Sequence, residues 1–280
     1  VVGSTGHVAW GFTNSYGDWH DFIRVHWLDE ARTRYRVPGG DAAATRVVEL
    51  IEVAGGEPES LEVVETRWGP VLHEEEDGSA LALAWTAHHA GSLDLGVLRL
   101  TRAGDLDEAM AIASQAGIPP QNFVAGDRHG RVGWSIIGRM PQRVGGCDPL
   151  APLDPVERGC HWDGWIEPGR APRLVDPVDG RIWTANSRVA DGEALSLIGD
   201  GGYDLGARQR QIRDLLQARD RFSEHDLLDI QLDHRALFLE PWWRLLRQII
   251  EEADGRHPGL AALEAPTRHW EGEARADAVA

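Results

Sequence analysis

The chain has 280 residues, 45 acidic against 28 basic side chains, a formal net charge of −17 and 42% apolar residues. That apolar content builds a core for one large domain or two ordinary ones, and no run of 18 or more apolar residues encodes a membrane-spanning helix. All 28 basic residues are arginines, mostly scattered singly, which argues against a nucleic-acid footprint.

The amino-terminal stretch reads as a Gly-rich turn, a strand over His7 to Phe12, a second turn, and an apolar run of Phe22, Ile23, Val25 and Trp27. This pattern predicts a strand-turn-strand unit. Residues 45 to 100 alternate apolar and polar in short runs, "TRVVELIEVAG", "LEVVETRWGPVL", "ALALAWTAH" and "LGVLRLT", separated by turn-rich stretches. Period-2 alternation at that spacing predicts a compact antiparallel β section, with "LGVLRLT" as one of its strands.

"DLDEAMAIASQA", residues 105 to 116, carries acids in its first turn and apolar positions at helical spacing, and so predicts a helix. "NFVAGD" and "VGWSIIGRM", joined by "RHGR", predict a β-hairpin. Residues 141 to 181 are rich in Pro and Gly and read as a long ordered loop anchored by Trp162, Trp165 and Ile166, followed by "GRIWTANSR" as a strand ending at Asn186. Within that loop, Cys147 and Cys160 could form a disulfide or stay reduced. The last third predicts three amphipathic helices, "GARQRQIRDLLQAR", "SEHDLLDIQLD" and "RALFLEPWWRLLRQIIEEA", with Ser223 and Glu224 at a helix start and Pro241 a break or kink. Strands first and helices last make the fold class α+β.

Several residues could carry chemistry. Asp18 and Asp21, with the His20 carbonyl between them, place three hard oxygens in one turn, a set that suits calcium; acids after a Gly turn are also ordinary turn chemistry. Asn186, where a predicted strand gives way to a loop, could aim its amide into a cleft and donate to a developing oxyanion, or simply cap the strand. Arg208 at the start of a helix could hold that amide or be one more surface arginine. His88, His89, Asp127 and Asp163 read as loop and turn residues.

Taken in order, "GHVAWGFTNSYGDWHDF", "PPQNFVAGDRHGRVGWSIIGRMPQR", "HWDGWI", "GRIWTANSR" and "GARQRQIRDLL" resemble the penicillin amidase (penicillin acylase) family of N-terminal nucleophile hydrolases, over essentially the whole chain. The resemblance implies a part of that family's αββα sandwich, with residues 1–30 and 100–205 in its core sheet, a β-rich insertion over 31–99 and a helical section over 206–280. It implies an oxyanion hole built from the Asn14 backbone N–H and the Asn186 amide, oriented by Arg208. It also implies a structural calcium ion on Asp18, Asp21 and the His20 carbonyl, with the Pro149 carbonyl as a further ligand.

The implied activity is hydrolysis of the amide C–N bond of an acylated amine, of the β-lactam or N-acyl-homoserine lactone type, through an acyl-enzyme. The family's nucleophile is an amino-terminal Ser of the larger subunit, the β-chain. The opening here is Val1-Val2-Gly3, and Ser4 sits where the family has no nucleophile. The expectation is therefore an internal fragment of that β-chain, inactive alone, whose partners are the missing α-subunit, the remaining β-chain segments and a small acylated amine. A periplasmic or secreted location follows from the resemblance only. The competing expectation is a non-catalytic acyl-ligand-binding or structural relative that has lost its nucleophile.

Overall fold

The computed structural model describes residues 2–148 and 150–278. In chain order the strands of the first half are β1 (Val2–Ser4), β2 (Val8–Asn14), β3 (His20–Val25), β4 (Arg34–Val37), β5 (Gly40–Ala43), β6 (Thr45–Ile51), β7 (Glu59–Thr66), β8 (Gly69–Glu74) and β9 (Ala80–Trp85). Helix α1 (Leu106–Ala113) follows, then β10 (Gln121–Asp127), β11 (Val132–Ile137), β12 (Pro141–Val144), β13 (His161–Trp165) and β14 (Arg173–Val175). The remainder is helical: α2 (Gly192–Ile198), α3 (Ala207–Gln217), α4 (Glu224–Gln231), α5 (Glu240–Ala253) and α6 (Pro258–Glu264). The chain divides into two compact units, one reaching to Gln209 and one beginning at Arg210.

Among the described residues the first unit holds two five-stranded antiparallel sheets, ordered β1-β2-β10-β11-β14 and β3-β9-β8-β7-β6, and two ribbons, β4-β5 and β12-β13. β2 and β3 are the expected strand-turn-strand unit, but the two strands do not pair with each other. β2 pairs with β10, with Asn14 opposite Gln121, while β3 crosses to the second sheet and pairs with β9, with His20 opposite Trp85. The turn between them, which holds the acidic pair, is thus a passage from one sheet to the other.

The first sheet is covered on both faces. On one, Val8, Phe123, Ala125 and Ile137 pack against Leu106, Ala109 and Ala113 of α1. Asp105 starts that helix by accepting from the Glu108 N–H at 2.9 Å, and the Glu108 carboxylate accepts from the Gly104 N–H at 2.8 Å, a reciprocal cap. On the other face, Trp134, Ile136 and Met140 meet Trp19 and Ile198. In the second sheet Ile23, Val25, Ala80, Ala82 and Ala84 are buried, the inward positions of two alternating strands, against Tyr35, Leu153 and Cys160.

Some expectations need correction. "LGVLRLT" is a 3-10 turn run over Gly96–Arg102, not a strand; Asp94 Oδ1 accepts from the Gly96 N–H at 2.6 Å and so starts a turn at its entrance. Residues 181–188 make no ladder, so Asn186 lies in a bend held by side chains. Residues 141–181 contain β12, β13 and β14, and Cys147 is bridged to Cys160. Pro241 neither breaks nor kinks a helix: it sits in the first turn of α5, where its missing N–H costs nothing. α2 and α6, seven residues each, are too short for a helical period to show.

In the second unit, Ser223 and Asp226 form a capping box at α4. Asp233 accepts from Gln211 of α3 at 2.7 Å and from Arg235 at 2.8 Å. Trp243 of α5 stacks on Trp270 at 5.9 Å between ring centroids.

Candidate active site at the end of strand β2

The carboxyl end of β2 meets the bend at residues 184–187 through side chains. Thr13 donates to Thr184 Oγ1 at 3.1 Å, and Asn186 Nδ2 donates to the Asn14 carbonyl at 3.2 Å. Arg208, in the first turn of α3, donates to Asn186 Oδ1 at 2.6 Å and pairs with Asp204 at 2.8 Å. Arginine only donates and a backbone carbonyl only accepts, so these two partners fix which end of the Asn186 amide carries nitrogen. An amide nitrogen has two hydrogens, and the bond to Asn14 uses one of them.

Backbone and neighbouring side chains hold the bend. The Asp204 N–H donates to the Asn186 carbonyl at 3.0 Å, Ser187 donates to Gln209 Oε1 at 2.6 Å, and Gln209 Nε2 donates to the Arg188 carbonyl at 3.2 Å. Beneath lies Asn122 of β10, 0% exposed. Its Nδ2 donates to Thr13 Oγ1 at 3.1 Å and reaches the Ala185 and Asn14 carbonyls at 3.3 and 3.4 Å, while its Oδ1 accepts from Trp134 Nε1 at 2.9 Å. Asn122 therefore ties the strand end to the bend that carries Asn186.

Beyond Asn14 the chain turns sharply. Ser15 donates to the Pro120 carbonyl at 2.9 Å and accepts from Trp19 Nε1 at 3.1 Å. A side chain at Gly17 would come within 2.3 Å of the Trp19 ring and 2.7 Å of Ile198, so only glycine fits. The Asp18 N–H donates to the Ile198 carbonyl at 2.8 Å, which locks the turn to the end of α2. Gly199, at φ 70°, ends α2 in the left-handed region, and a Cβ there would lie 2.5 Å from that of Asp18.

Asp18 and Asp21 are each only 4% exposed. The guanidinium of Arg143, carried on β12, lies between them: Nε donates to Asp21 Oδ2 at 2.9 Å, and one terminal nitrogen donates to the Asp18 carbonyl at 2.9 Å while lying 2.9 Å from Asp18 Oδ2. Trp162 Nε1 also donates to Asp21 Oδ2. Asp18 Oδ2 has the ion pair but no hydrogen bond. Burial pushes the Asp18 carboxyl up to about 7; Arg143 opposes the shift, and Asp21 and Asp200 add to it. Asp21 is raised too, by burial, against Arg143 and the Trp162 and Arg143 hydrogen bonds.

These positions bear on calcium. The ion takes 6–8 oxygens at about 2.3–2.6 Å, and the space between the two carboxylates already holds a fixed cation. His20 opens β3 with its side chain exposed, and Pro149 lies outside the described residues. The residues present do not fit a calcium ion while Arg143 is seated. A separate group, His26, Asp154 and Glu157, gathers metal-type donors, but Asp154 already accepts from the Val156 and Glu157 N–H groups and contacts His26 at 3.0 Å. His88 and His89 engage aromatic rings, His88 against Trp85 and His89 against Trp162 and Trp165.

The sequence matches the penicillin amidase family over residues 1–280. The chain belongs to the penicillin amidase family. It is 31% identical over 252 residues to a penicillin acylase 2 proenzyme of Pseudomonas sp. (strain SE83), covering 88% of this chain and 31% of the relative. It is 27% identical to the acyl-homoserine lactone acylase QuiP of Pseudomonas aeruginosa, over 85% of this chain and 30% of that protein. With penicillin G acylase of Escherichia coli it shares 26% identity, over 97% of this chain and 32% of that one. This penicillin amidase chain thus spans about a third of the length of these relatives. Among solved structures it superposes on a thermostable penicillin G acylase from Alcaligenes faecalis with a TM-score of 0.74 and 21% identity, over 99% of this chain and 50% of that one, a likeness of fold.

Of the residues singled out in the sequence, the penicillin amidase fold brings Asn14, Asn186 and Arg208 into one hydrogen-bonded string, and Asp18 and Asp21 into one buried pair. Sequence reasoning missed Asn122 and Arg143. An asparagine directly before the apolar run "FVA", in "QNFVAGD", is a legible sign of a buried polar knot; Arg143 has no comparable signal.

Proposed function

We propose that this chain is the oxyanion-holding part of a penicillin acylase-type amidohydrolase that cleaves the amide C–N bond of an acylated amine through an acyl-enzyme. The carrying observation is the Asn186 amide, oriented at 2.6 Å by Arg208 and 3.2 Å by the Asn14 carbonyl, at the end of a strand anchored in the core. In this reading a hydroxyl nucleophile of the complete protein adds to the amide carbon, and the carbonyl oxygen gains negative charge between the Asn14 N–H and the second Asn186 N–H. Collapse expels the amine, which takes up a proton, and water then hydrolyses the ester to release the acid and restore the hydroxyl. Preorganised donors of this kind stabilise charge where it develops without reorganising during the reaction.

Both the β-lactam and the acyl-homoserine lactone types of acylated amine are represented among the named relatives. The proposal extends to further segments of the complete protein as partners, completing an αββα sandwich. Exposed apolar side chains on the β6-β7 hairpin, Val48, Leu50 and Leu61, support covering by such segments. The Cys147–Cys160 bridge supports an oxidising compartment such as the periplasm or the exterior. The test is Asn186→Ala in the complete protein, assayed on a chromogenic acyl-anilide. Loss of one oxyanion donor lowers kcat by about 10²–10³ while the melting temperature holds. Turnover equal to wild type would remove Asn186 from the site.

A further inference from the structure

We propose that Arg143 is the resident cation of the Asp18–Asp21 turn, so that this turn holds its shape without calcium and acquires a calcium requirement only when the arginine is removed. This geometry is the same whichever reaction the complete protein performs. Two carboxylates, each 4% exposed, face one another across a turn that no solvent cation reaches freely. Buried acids persist when a counter-charge and hydrogen bonds satisfy them, and here one guanidinium supplies the counter-charge to both carboxylates and a hydrogen bond to that of Asp21. Its Nε serves Asp21 at 2.9 Å, and a terminal nitrogen serves the Asp18 carbonyl at 2.9 Å while neutralising Asp18 Oδ2 at 2.9 Å.

The guanidinium is itself held in place. Arg143 stands on β12, which pairs with β13, and its guanidinium lies 6.0 Å from the centroid of the Trp162 ring of that partner strand. Trp162 meanwhile donates to the same Asp21 oxygen. The Cys147–Cys160 bond joins the segments just beyond the paired ends of the ribbon. The cation thus arrives on a stapled arm that spans from the ribbon to the turn between the two sheets. A calcium ion would need the same oxygens at about 2.3–2.6 Å, and would lie against this fixed positive charge. Truncating Arg143 leaves two buried carboxylates and the Asp18 carbonyl facing a vacated space, a hard-oxygen set of the kind divalent calcium takes.

The experiment measures thermal unfolding of the full chain, wild type and Arg143→Ala, in excess EGTA and across a calcium chloride titration, with calcium binding followed by calorimetry. Wild type is expected to melt at the same temperature throughout and to bind no calcium at this turn. Arg143→Ala is expected to melt lower in EGTA and to recover as calcium rises, the shift growing with the logarithm of calcium concentration as for any ligand of the folded state. Arg143→Lys, which keeps a cation on the arm, is expected to be indifferent to calcium. Calcium stabilisation of wild type that Asp21→Asn abolishes would overturn the proposal, because the arginine would then yield its place. So would an Arg143→Ala protein that is folded by circular dichroism yet binds no calcium. Should Arg143→Ala fail to fold in either buffer, Arg143→Lys decides: a folded, calcium-indifferent protein supports the proposal and a calcium response overturns it.

Discussion

Replacing Asn122 with alanine tests whether the site is held by a polar knot or by the sheet around it. Asn122 is fully buried, and its two good bonds are the donation to Thr13 Oγ1 at 3.1 Å and the acceptance from Trp134 Nε1 at 2.9 Å. Each contributes about 1 kcal/mol net, and the stranded Trp134 N–H adds a desolvation cost of ~1–3 kcal/mol, so the substitution should lose about 3–5 kcal/mol. That is a large share of the ~5–15 kcal/mol typical of a folded domain. Urea denaturation followed by circular dichroism measures it. Asn122→Asp is the sharper companion: it keeps an acceptor for Trp134 but turns an acceptor oxygen toward the Asn14 and Ala185 carbonyls, and should lose at least as much. A loss under about 1 kcal/mol for the alanine variant, no more than one ordinary hydrogen bond, would refute the knot. In the complete protein the same variant should lower turnover as well, since Ala185 and Asn14 both flank the Asn186 amide.

Three further outcomes follow from the structure. Reduction of Cys147–Cys160, 13 positions apart, should destabilise by about 3 kcal/mol, the scale for a loop of ~15 residues; equal melting temperatures with and without reductant would show that the loop is ordered without its staple. Gly17→Ala forces a Cβ to within 2.3 Å of the Trp19 ring and should cost ~1–3 kcal/mol as overpacking does, whereas Gly40→Ala, with nothing within 4 Å, serves as the neutral control; matching urea midpoints for the two would contradict the clash. Arg235 holds the Asp233 carboxyl well below the usual carboxylate range, with Gln211 adding to the effect. The folded state therefore binds that proton less readily than the unfolded state, so the contribution is complete at neutral pH and fades as pH falls below about 4. Asp233→Asn should be less stable than wild type at neutral pH and should lose less on acidification; parallel pH profiles would rule the contribution out.

Local chemistry was legible in the sequence wherever neighbours along the chain decide the structure. The "RHGR" hairpin, the Asp105 cap and the Ser223 start each depend on residues within a few positions of one another. The misreadings arise where distant residues decide. β3 finds its partner sixty residues later in β9, and period-2 alternation says that a strand exists without saying which strand it joins. "LGVLRLT" has leucines that suit either period, and the Asp94 turn at its entrance settles the matter. "GRIWTANSR" reads as a strand but spends its contacts on Thr13, Asn14 and Asn122 instead of on a ladder. The candidate donors Asn186 and Arg208 could be named through a family pattern, but nothing in the sequence shows that Arg143 reaches two acids more than 120 positions away.

That separation explains why the site is built as it is. Asn14 and Asn186 lie 172 positions apart, and a contact of such span must be positioned by elements that are already rigid. β2 supplies one fixed end through its pairing with β10 and its packing against α1. The opposite end is secured by Asn122 from below and by Arg208 in the first turn of α3. An amide meant to meet a developing charge must not reorient when that charge appears, or the gain is spent on its own rearrangement. The Asn186 side chain, gripped at both its oxygen and its nitrogen, meets that requirement with one N–H bond still to give. Removing the Arg208 grip should therefore release the amide to reorient while leaving β2 in place, which separates orientation of the donor from integrity of the fold.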